Sequence, residues 1–140
     1  ITLLVMVQGW PVRTWFNLTE RAIYQAKKLK HAIKQAPSLF RSITNRQELA
    51  ALIKARKLGN KIVGAMLGTE GSHALEGDIN NIKKLYDEGF RMMSLQHFFD
   101  NRLGGSLHGQ SKAGLTSFGR KVIEELNSQS IIIDVSHSSP

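Results

Sequence analysis

Three side chains that can bind a metal ion stand where three short apolar runs end. Glu70, His97 and His137 supply one carboxylate and two imidazoles, which are ligands that a divalent zinc ion accepts. The apolar runs that lead to them span residues 62–67, 90–95 and 131–135. Because each run has the length of a buried strand, we expect the three side chains at C-terminal strand ends, where a parallel α/β barrel keeps its chemistry. The pattern indicates a metal-dependent hydrolase.

The segments between these runs predict the helices of an alternating fold. Apolar residues at helical spacing follow Asn17, which with Glu20 forms a predicted capping box, and they continue to Pro37. Further helices are predicted after Thr44, ending at Gly59, after Asp78, ending at Gly89, and after Thr116. A first strand is predicted over residues 1–7. Four strands alternating with helices predict a parallel sheet with right-handed crossovers, and the long loop 98–115 is expected to form a lid or a substrate wall.

Five motifs follow one another along these elements. They are Gly68–Leu75, Leu95–His97 with Asn101, Gly114–Gly119, Glu125–Asn127 and Ile133–Ser139. In this order and spacing they resemble the membrane (renal) dipeptidase family, peptidase family M19, from about Ser38 to the last residue. The resemblance implies a TIM (β/α)₈ barrel of the metal-dependent hydrolase type with a two-zinc centre. Such a barrel needs about 250 residues. Residues 1–140 are therefore expected to form one partial barrel domain, about half of a barrel, truncated at both ends.

The resemblance also assigns roles to the three side chains. It implies that Glu70 bridges two zinc ions, that His137 is a terminal ligand, and that His97 is a catalytic residue that contacts the substrate without binding metal. From the residues alone, a helix-capping Glu70, a hydrogen-bonded loop His137 and a packed structural His97 remain open. His73 is interpreted as structural, and His31 and His108 receive no role. The sequence departs from the family pattern at three positions: it has Gln96 for Thr, Ser117 for Pro and Ser130 for Gly.

The function that the resemblance implies is hydrolysis of the peptide bond of dipeptides by a hydroxide that two Zn²⁺ ions activate. The family's His-x-Asp pair, second zinc-binding His, substrate-binding Arg and late catalytic Asp have no match in these 140 residues. By themselves the residues are therefore expected to bind zinc weakly and to hydrolyse nothing. The alternative is a non-catalytic barrel homologue that acts as a binding or assembly protein, which a first strand without His-x-Asp would favour. The resemblance further implies broad dipeptide specificity and frequent homodimers.

The net charge of +8 is concentrated before the motifs. Twelve of the nineteen Lys and Arg residues lie in residues 1–61, where there are two acids. The predicted first long helix carries four of these cations on its polar face, Lys27, Lys28, Lys30 and Lys34. A solvated helix face is the favoured interpretation, and attraction to an anionic membrane surface is the alternative.

No nucleic-acid partner is expected, because the aromatic side chains do not alternate with the lysines in a stacking pattern. These aromatic residues are Trp10, Trp15, Phe16 and Tyr24. The absence of cysteine excludes disulfides and thiolate ligands, so His, Asp and Glu are the candidate metal ligands. It leaves the compartment open between periplasm, membrane and cytoplasm.

Overall fold

The computed structural model describes residues 2–140, and within this range helices alternate with short parallel strands. The helices are α1 (Thr2–Val7), α2 (Leu18–Gln35), α3 (Arg46–Lys57), α4 (Asn80–Asp87) and α5 (Ser117–Ser128). The strands are β1 (Phe40–Ser42), β2 (Val63–Ala65), β3 (Leu67–Thr69), β4 (Phe90–Ser94) and β5 (Ile132–Asp134). Two 3₁₀ turns cover Val12–Thr14 and Ser72–Leu75.

The strands form two parallel sheets. In the smaller sheet, β1 lies beside β2, with Phe40 opposite Val63. In the larger sheet, the order is β3-β4-β5, with Thr69 opposite Met93 and Ser94 opposite Asp134. The predicted α/β class with parallel strands is confirmed, and the two sheets do not close on themselves.

The strand predicted over residues 62–67 is wrong in its extent. The structure divides it at Met66, so that β2 pairs with β1 and β3 pairs with β4. The partner of β2, Phe40–Ser42, was not predicted as a strand. Three residues give too short a pattern to show a period, and an apolar run does not say which neighbour each half will pair with.

The strand predicted over residues 1–7 is also wrong. Thr2–Val7 forms α1, and Ile1 lies outside the described residues. A short apolar run has no period that separates strand from helix. A strand also needs a neighbour for its hydrogen bonds, whereas a helix satisfies its own. Within residues 2–140 no strand pairs with this segment.

The helix boundaries follow the predicted capping signals with two shifts. The Asn17 side chain accepts from the backbone N–H of Glu20 at 2.7 Å, and Thr116 Oγ1 accepts from Gly119 N–H at 2.9 Å. Helix α3 is capped by Asn45, one residue beyond the predicted Thr44, because Asn45 Oδ1 accepts from Glu48 N–H at 2.9 Å.

Two further signals complete this picture of the helix ends. The N-cap of α4 is Ile79, one residue beyond the predicted Asp78, although Asp78 Oδ1 accepts from Asn80 N–H at 2.9 Å just ahead of the helix. The predicted C-terminal glycines, Gly59 and Gly89, have φ values of +90° and +95°. These left-handed conformations are the ones that glycine adopts without strain.

The core lies between the three-stranded sheet and helices α2, α4 and α5. Its fully buried members include Leu75, Ile82, Leu85, Met93, Val122 and Leu126. Burial of such a side chain stabilises the fold by about 1.5–3 kcal/mol. A separate small cluster of Ile43, Leu52 and Ile62 supports the β1–β2 sheet. The four lysines of α2 are exposed, in agreement with a solvated face. Among the described helices, none has both the length and the apolar character needed to span a membrane.

Candidate metal centre

The larger sheet brings the three predicted side chains to one edge. Glu70 follows β3 directly, His97 lies three residues after β4, and His137 lies three residues after β5. Because the three strands are parallel neighbours, their C-terminal ends meet at the same edge of the sheet. The backbone pairing continues past the strands, since Ser72 N–H donates to Leu95 O at 3.2 Å and Leu95 N–H to Asp134 O at 3.1 Å.

One oxygen of Glu70 faces both imidazoles. Glu70 Oε1 lies 3.4 Å from His97 Nε2 and 3.5 Å from His137 Nε2. The Glu70 side chain is 68% exposed, whereas the two histidines are about one quarter exposed. The carboxylate is therefore open on its solvent side while the rings are held against the protein. This leaves room for a further ligand or a substrate beside Glu70.

The donor set suits a metal ion. Glu70, His97 and His137 each offer one ligand atom, and these atoms all lie within 4.8 Å of one another. Two ligand atoms that are each about 2.1 Å from one tetrahedral zinc ion lie about 3.4 Å apart. The two measured Glu70–histidine distances match this separation. The chemistry and spacing of the residues present therefore fit zinc.

The loop after β4 is hydrogen-bonded to the backbone of both histidines. Ser106 Oγ donates to His97 O, and Leu107 N–H donates to His137 O at 2.8 Å. These bonds hold the next residue, His108, above the site. Its ring centroid lies 6.0 Å from that of His137 and 5.9 Å from that of Phe98, which in turn lies 4.2 Å from His97. Phe98 and His108 thus form an aromatic wall beside the two site imidazoles.

The carboxylate of Asp100 organises this loop. It accepts hydrogen bonds from the backbone N–H groups of Ser106, Gln110 and Ser111 at 2.8–3.0 Å. The N–H donors of Ser111 and Ser106 hold the pKa of Asp100 below its ordinary value, because they stabilise the ionised form. The predicted loop of residues 98–115 is therefore an ordered structure built around one side chain.

Gly71 allows the site to pack closely. Its φ is +82°, and a Cβ placed there would lie 3.0 Å from His97 Cβ and 3.1 Å from His73 Cδ2. His73 is half-buried, and its pKa is lowered first by desolvation and then by the charge of His97. The neutral form of His73 is therefore favoured.

The sequence predicts three candidate ligands at strand ends but gives no role to the residues beside them. Glu70, His97 and His137 were each predicted at a strand end, and the structure brings them together. The sequence gives His108 no role, yet its ring lies 6.0 Å from that of His137. The serines flanking His137 do not bond to its ring, because Ser136 Oγ donates to Asp134 Oδ1 and Ser138 Oγ donates to Gln96 Oε1. The glycine-rich composition of the loop was the available signal for a wall.

The fold and the donor set define an α/β protein with a candidate metal site at the C-terminal edge of a parallel sheet. The chain belongs to the membrane dipeptidase family, peptidase family M19, whose family model matches residues 4–140. Dipeptidase 3 of Mus musculus is 29% identical over 125 residues, which cover 77% of this chain and 23% of the mouse protein. An uncharacterized dipeptidase of Schizosaccharomyces pombe is 32% identical over 80 residues, which cover 56% of this chain and 20% of that protein. The chain thus spans about a fifth to a quarter of the length of these relatives.

Solved structures show the same fold. An amidohydrolase from Pseudomonas aeruginosa matches with a TM-score of 0.72 and 22% identity, over 82% of this chain and 34% of that chain. A metallopeptidase from Rhodobacter sphaeroides, solved with a phosphinate mimic of the dipeptide L-Ala-D-Ala, matches with a TM-score of 0.60 and 24% identity. This second match covers 81% of this chain and 33% of that one.

Proposed function

We propose that the protein carrying this chain is a zinc-dependent dipeptidase and that this segment supplies one side of its active site. The observation that carries the proposal is the convergence of Glu70 Oε1 on His97 Nε2 and His137 Nε2, at the ends of neighbouring parallel strands. Membership of the membrane dipeptidase family supports a peptide bond as the target. The dipeptide mimic bound by the Rhodobacter sphaeroides relative supports a dipeptide as the substrate.

The barrel is part of the same proposal. We propose that the two parallel sheets are neighbouring arcs of one (β/α)₈ barrel and that residues 1–140 form part of this single domain. Strands that alternate with helices, all paired in parallel, are the arrangement that a barrel repeats. Exposed apolar strand residues such as Phe40, Val63 and Ile132 support further packing partners in the whole protein.

The three side chains take different roles. Glu70, whose side chain is 68% exposed, would hold the metal ions through its carboxylate. His137 would hold one ion through Nε2. When bound, the pair of zinc ions would polarise the scissile carbonyl and lower the pKa of water. His97 would donate a hydrogen bond to the carbonyl oxygen of the substrate, where negative charge develops, with the aromatic wall of Phe98 and His108 beside it.

The test is zinc content by elemental analysis and hydrolysis of L-Ala-D-Ala and L-Ala-L-Ala, measured on the full protein. We expect two zinc ions for each chain together with activity. Glu70→Gln should remove activity and reduce the zinc content, because an amide cannot bridge two cations as a carboxylate does. Glu124→Gln is the matched control, since Glu124 is exposed on α5 away from the site.

The same measurements show what would overturn the proposal. A Glu70→Gln variant that keeps both zinc and activity would remove Glu70 from the site. A full protein without zinc and without hydrolysis would instead favour a non-catalytic homologue.

A further inference from the structure

A partly buried hydrogen bond joins the residues next to the two site histidines. Gln96 directly precedes His97, and Ser138 directly follows His137. Ser138 Oγ donates to Gln96 Oε1 at 2.5 Å, and Gln96 is only 1% exposed. The bond therefore links the ends of two separate strands, next to the histidine that follows each strand.

This bond lies beyond the end of the regular sheet. The β4–β5 pairing ends with Ser94 opposite Asp134, after which Leu95 N–H donates to Asp134 O at 3.1 Å. Past that point the two backbones leave the strand geometry and turn into the site. A side-chain bond between positions 96 and 138 therefore continues the alignment that the ladder provides up to position 95.

We propose that Gln96 and Ser138 form a positioning pair that sets the spacing of the His97 and His137 imidazoles. The inference rests on the proposed zinc dipeptidase function, to which it adds two residues that touch neither metal nor substrate. Because each partner is adjacent in sequence to one histidine, a shift at either end of the bond moves one ring relative to the other. Ligand affinity depends strongly on such preorganisation.

The length of the side chain at position 96 matters for this role. Oε1 of glutamine is carried on Cδ, whereas the hydroxyl of threonine is carried on Cβ, two carbons nearer the backbone. Gln96 stands where the family resemblance leads one to expect threonine. A threonine hydroxyl at this position would not reach Ser138 along the same path.

The surroundings make the bond hard to replace. Ser106 lies opposite Ser138 in an isolated antiparallel bridge, and its hydroxyl is already engaged with His97 O. Ser139 Oγ is engaged with the carbonyl oxygens of Gly105 and Ala113. Removal of the Ser138 hydroxyl would leave the buried Gln96 oxygen without its partner, which a folded protein accommodates by shifting the groups around it.

The test uses the full protein with the variants Ser138→Ala, Gln96→Leu and their combination. Zinc affinity is measured by competition with a chromophoric chelator, kcat and KM are measured at saturating zinc, and thermal stability is recorded alongside. We expect each single change to weaken zinc binding about tenfold or more. The double variant should be no weaker than the worse single one, because both changes remove the same bond.

Two controls separate positioning from folding. Ser138→Thr keeps the hydroxyl donor and should restore zinc affinity to near that of the unaltered protein. Ser128→Ala removes a hydroxyl from the exposed end of α5 and should change nothing at the site. A lower melting temperature in Ser138→Ala with unchanged zinc affinity and kcat would overturn the proposal, as would multiplying effects in the double variant.

A crystal structure of Ser138→Ala supplies a readout that needs neither zinc nor activity. We expect the His97–His137 ring separation to depart from 4.7 Å, and an unchanged separation would overturn the positioning role. If the unaltered protein neither binds zinc nor hydrolyses dipeptides, the proposed function fails while this measurement still decides the role of the pair.

Discussion

The imidazole rings of His97 and His137 lie 4.7 Å apart, centroid to centroid, and meet at 71°. The two residues follow different strands, yet the Nε2 atoms of both face the same oxygen of Glu70. The two rings are therefore at nearly the same distance from Glu70, whereas the family resemblance gives them different roles. His137 is proposed as a zinc ligand and His97 as the group that contacts the substrate.

Asparagine substitutions separate the two roles. His137→Asn should lose zinc and activity together, since the metal loses a ligand. His97→Asn should keep its zinc and lose about 10²–10³ in kcat, the effect of removing one donor to a developing oxyanion. Elemental analysis and steady-state kinetics on the same preparations check this. Parallel loss of zinc in both variants would make His97 a ligand as well.

A side chain at position 71 should lower activity more than it lowers stability. Gly71→Ala places a Cβ 3.0 Å from His97 Cβ and imposes a positive φ on alanine, which costs about 1–2 kcal/mol. We expect kcat/KM to fall tenfold or more, because displaced catalytic groups lose rate steeply. Gly59→Ala is the matched control, with a φ of +90° and nothing within 4 Å. Equal activity in the two variants would contradict a role of Gly71 in placing His97.

The stability that Asp100 gives to the loop of residues 98–115 should depend on pH in the acid range. The pKa of the Asp100 carboxyl is lowered in the folded state, so its stabilising effect is fully present above the ordinary carboxyl pKa. That effect disappears as the pH falls through the lowered value. Asp100→Asn should therefore reduce the melting temperature at neutral pH, and the difference from the unaltered protein should narrow below about pH 4.

A carboxylate on α4 is the comparison for Asp100. Asp87 pairs with Lys83 on an exposed helix face, so Asp87→Asn should change the melting temperature little. A melting difference for Asp100→Asn that stays constant from pH 7 to pH 3 would show that the carboxylate charge does not hold the loop.

One substitution should stabilise the fold. Ser130 has a φ of +55°, a left-handed conformation that glycine adopts without the side-chain penalty. Ser130→Gly should raise the free energy of unfolding by up to about 1 kcal/mol, since relief of strain exceeds the added freedom of the unfolded chain. Glu124→Gly, at an exposed interior position of α5, should instead destabilise by about 1 kcal/mol. Denaturant unfolding gives the free energy of unfolding of both variants. A lower value in both would contradict strain at Ser130.

Most of the fold was predictable because its signals are local. The helices α2 and α5 carry a capping residue and apolar residues at helical spacing, so their positions follow from the sequence. The strands β4 and β5 are apolar runs bounded by turns. Strand β1 and the division at Met66 were not predictable, since pairing partners are chosen by contacts between distant segments.

The candidate site also has features that the sequence predicts and features that it does not. Glu70, His97 and His137 could be grouped because parallel neighbouring strands end at one edge. The position of His108 depends on the hydrogen bonds that the Asp100 carboxylate accepts from backbone N–H groups on both sides of it. No local sequence pattern predicts the path of such a loop. The bond from Ser138 to Gln96 likewise depends on the distance between two strand ends, which the sequence does not state.

The break at Met66 separates two sheets that rest on buried clusters of unequal size. The β1–β2 sheet with α3 is supported by the small cluster of Ile43, Leu52 and Ile62, whereas the site stands on the larger core. Arg91 connects them, since its Nε donates to Thr44 O at 2.8 Å. Amide hydrogens of β1 and β2 should therefore exchange before those of β3, β4 and β5. The frame that carries Glu70, His97 and His137 can thus persist through fluctuations that unfold its neighbour.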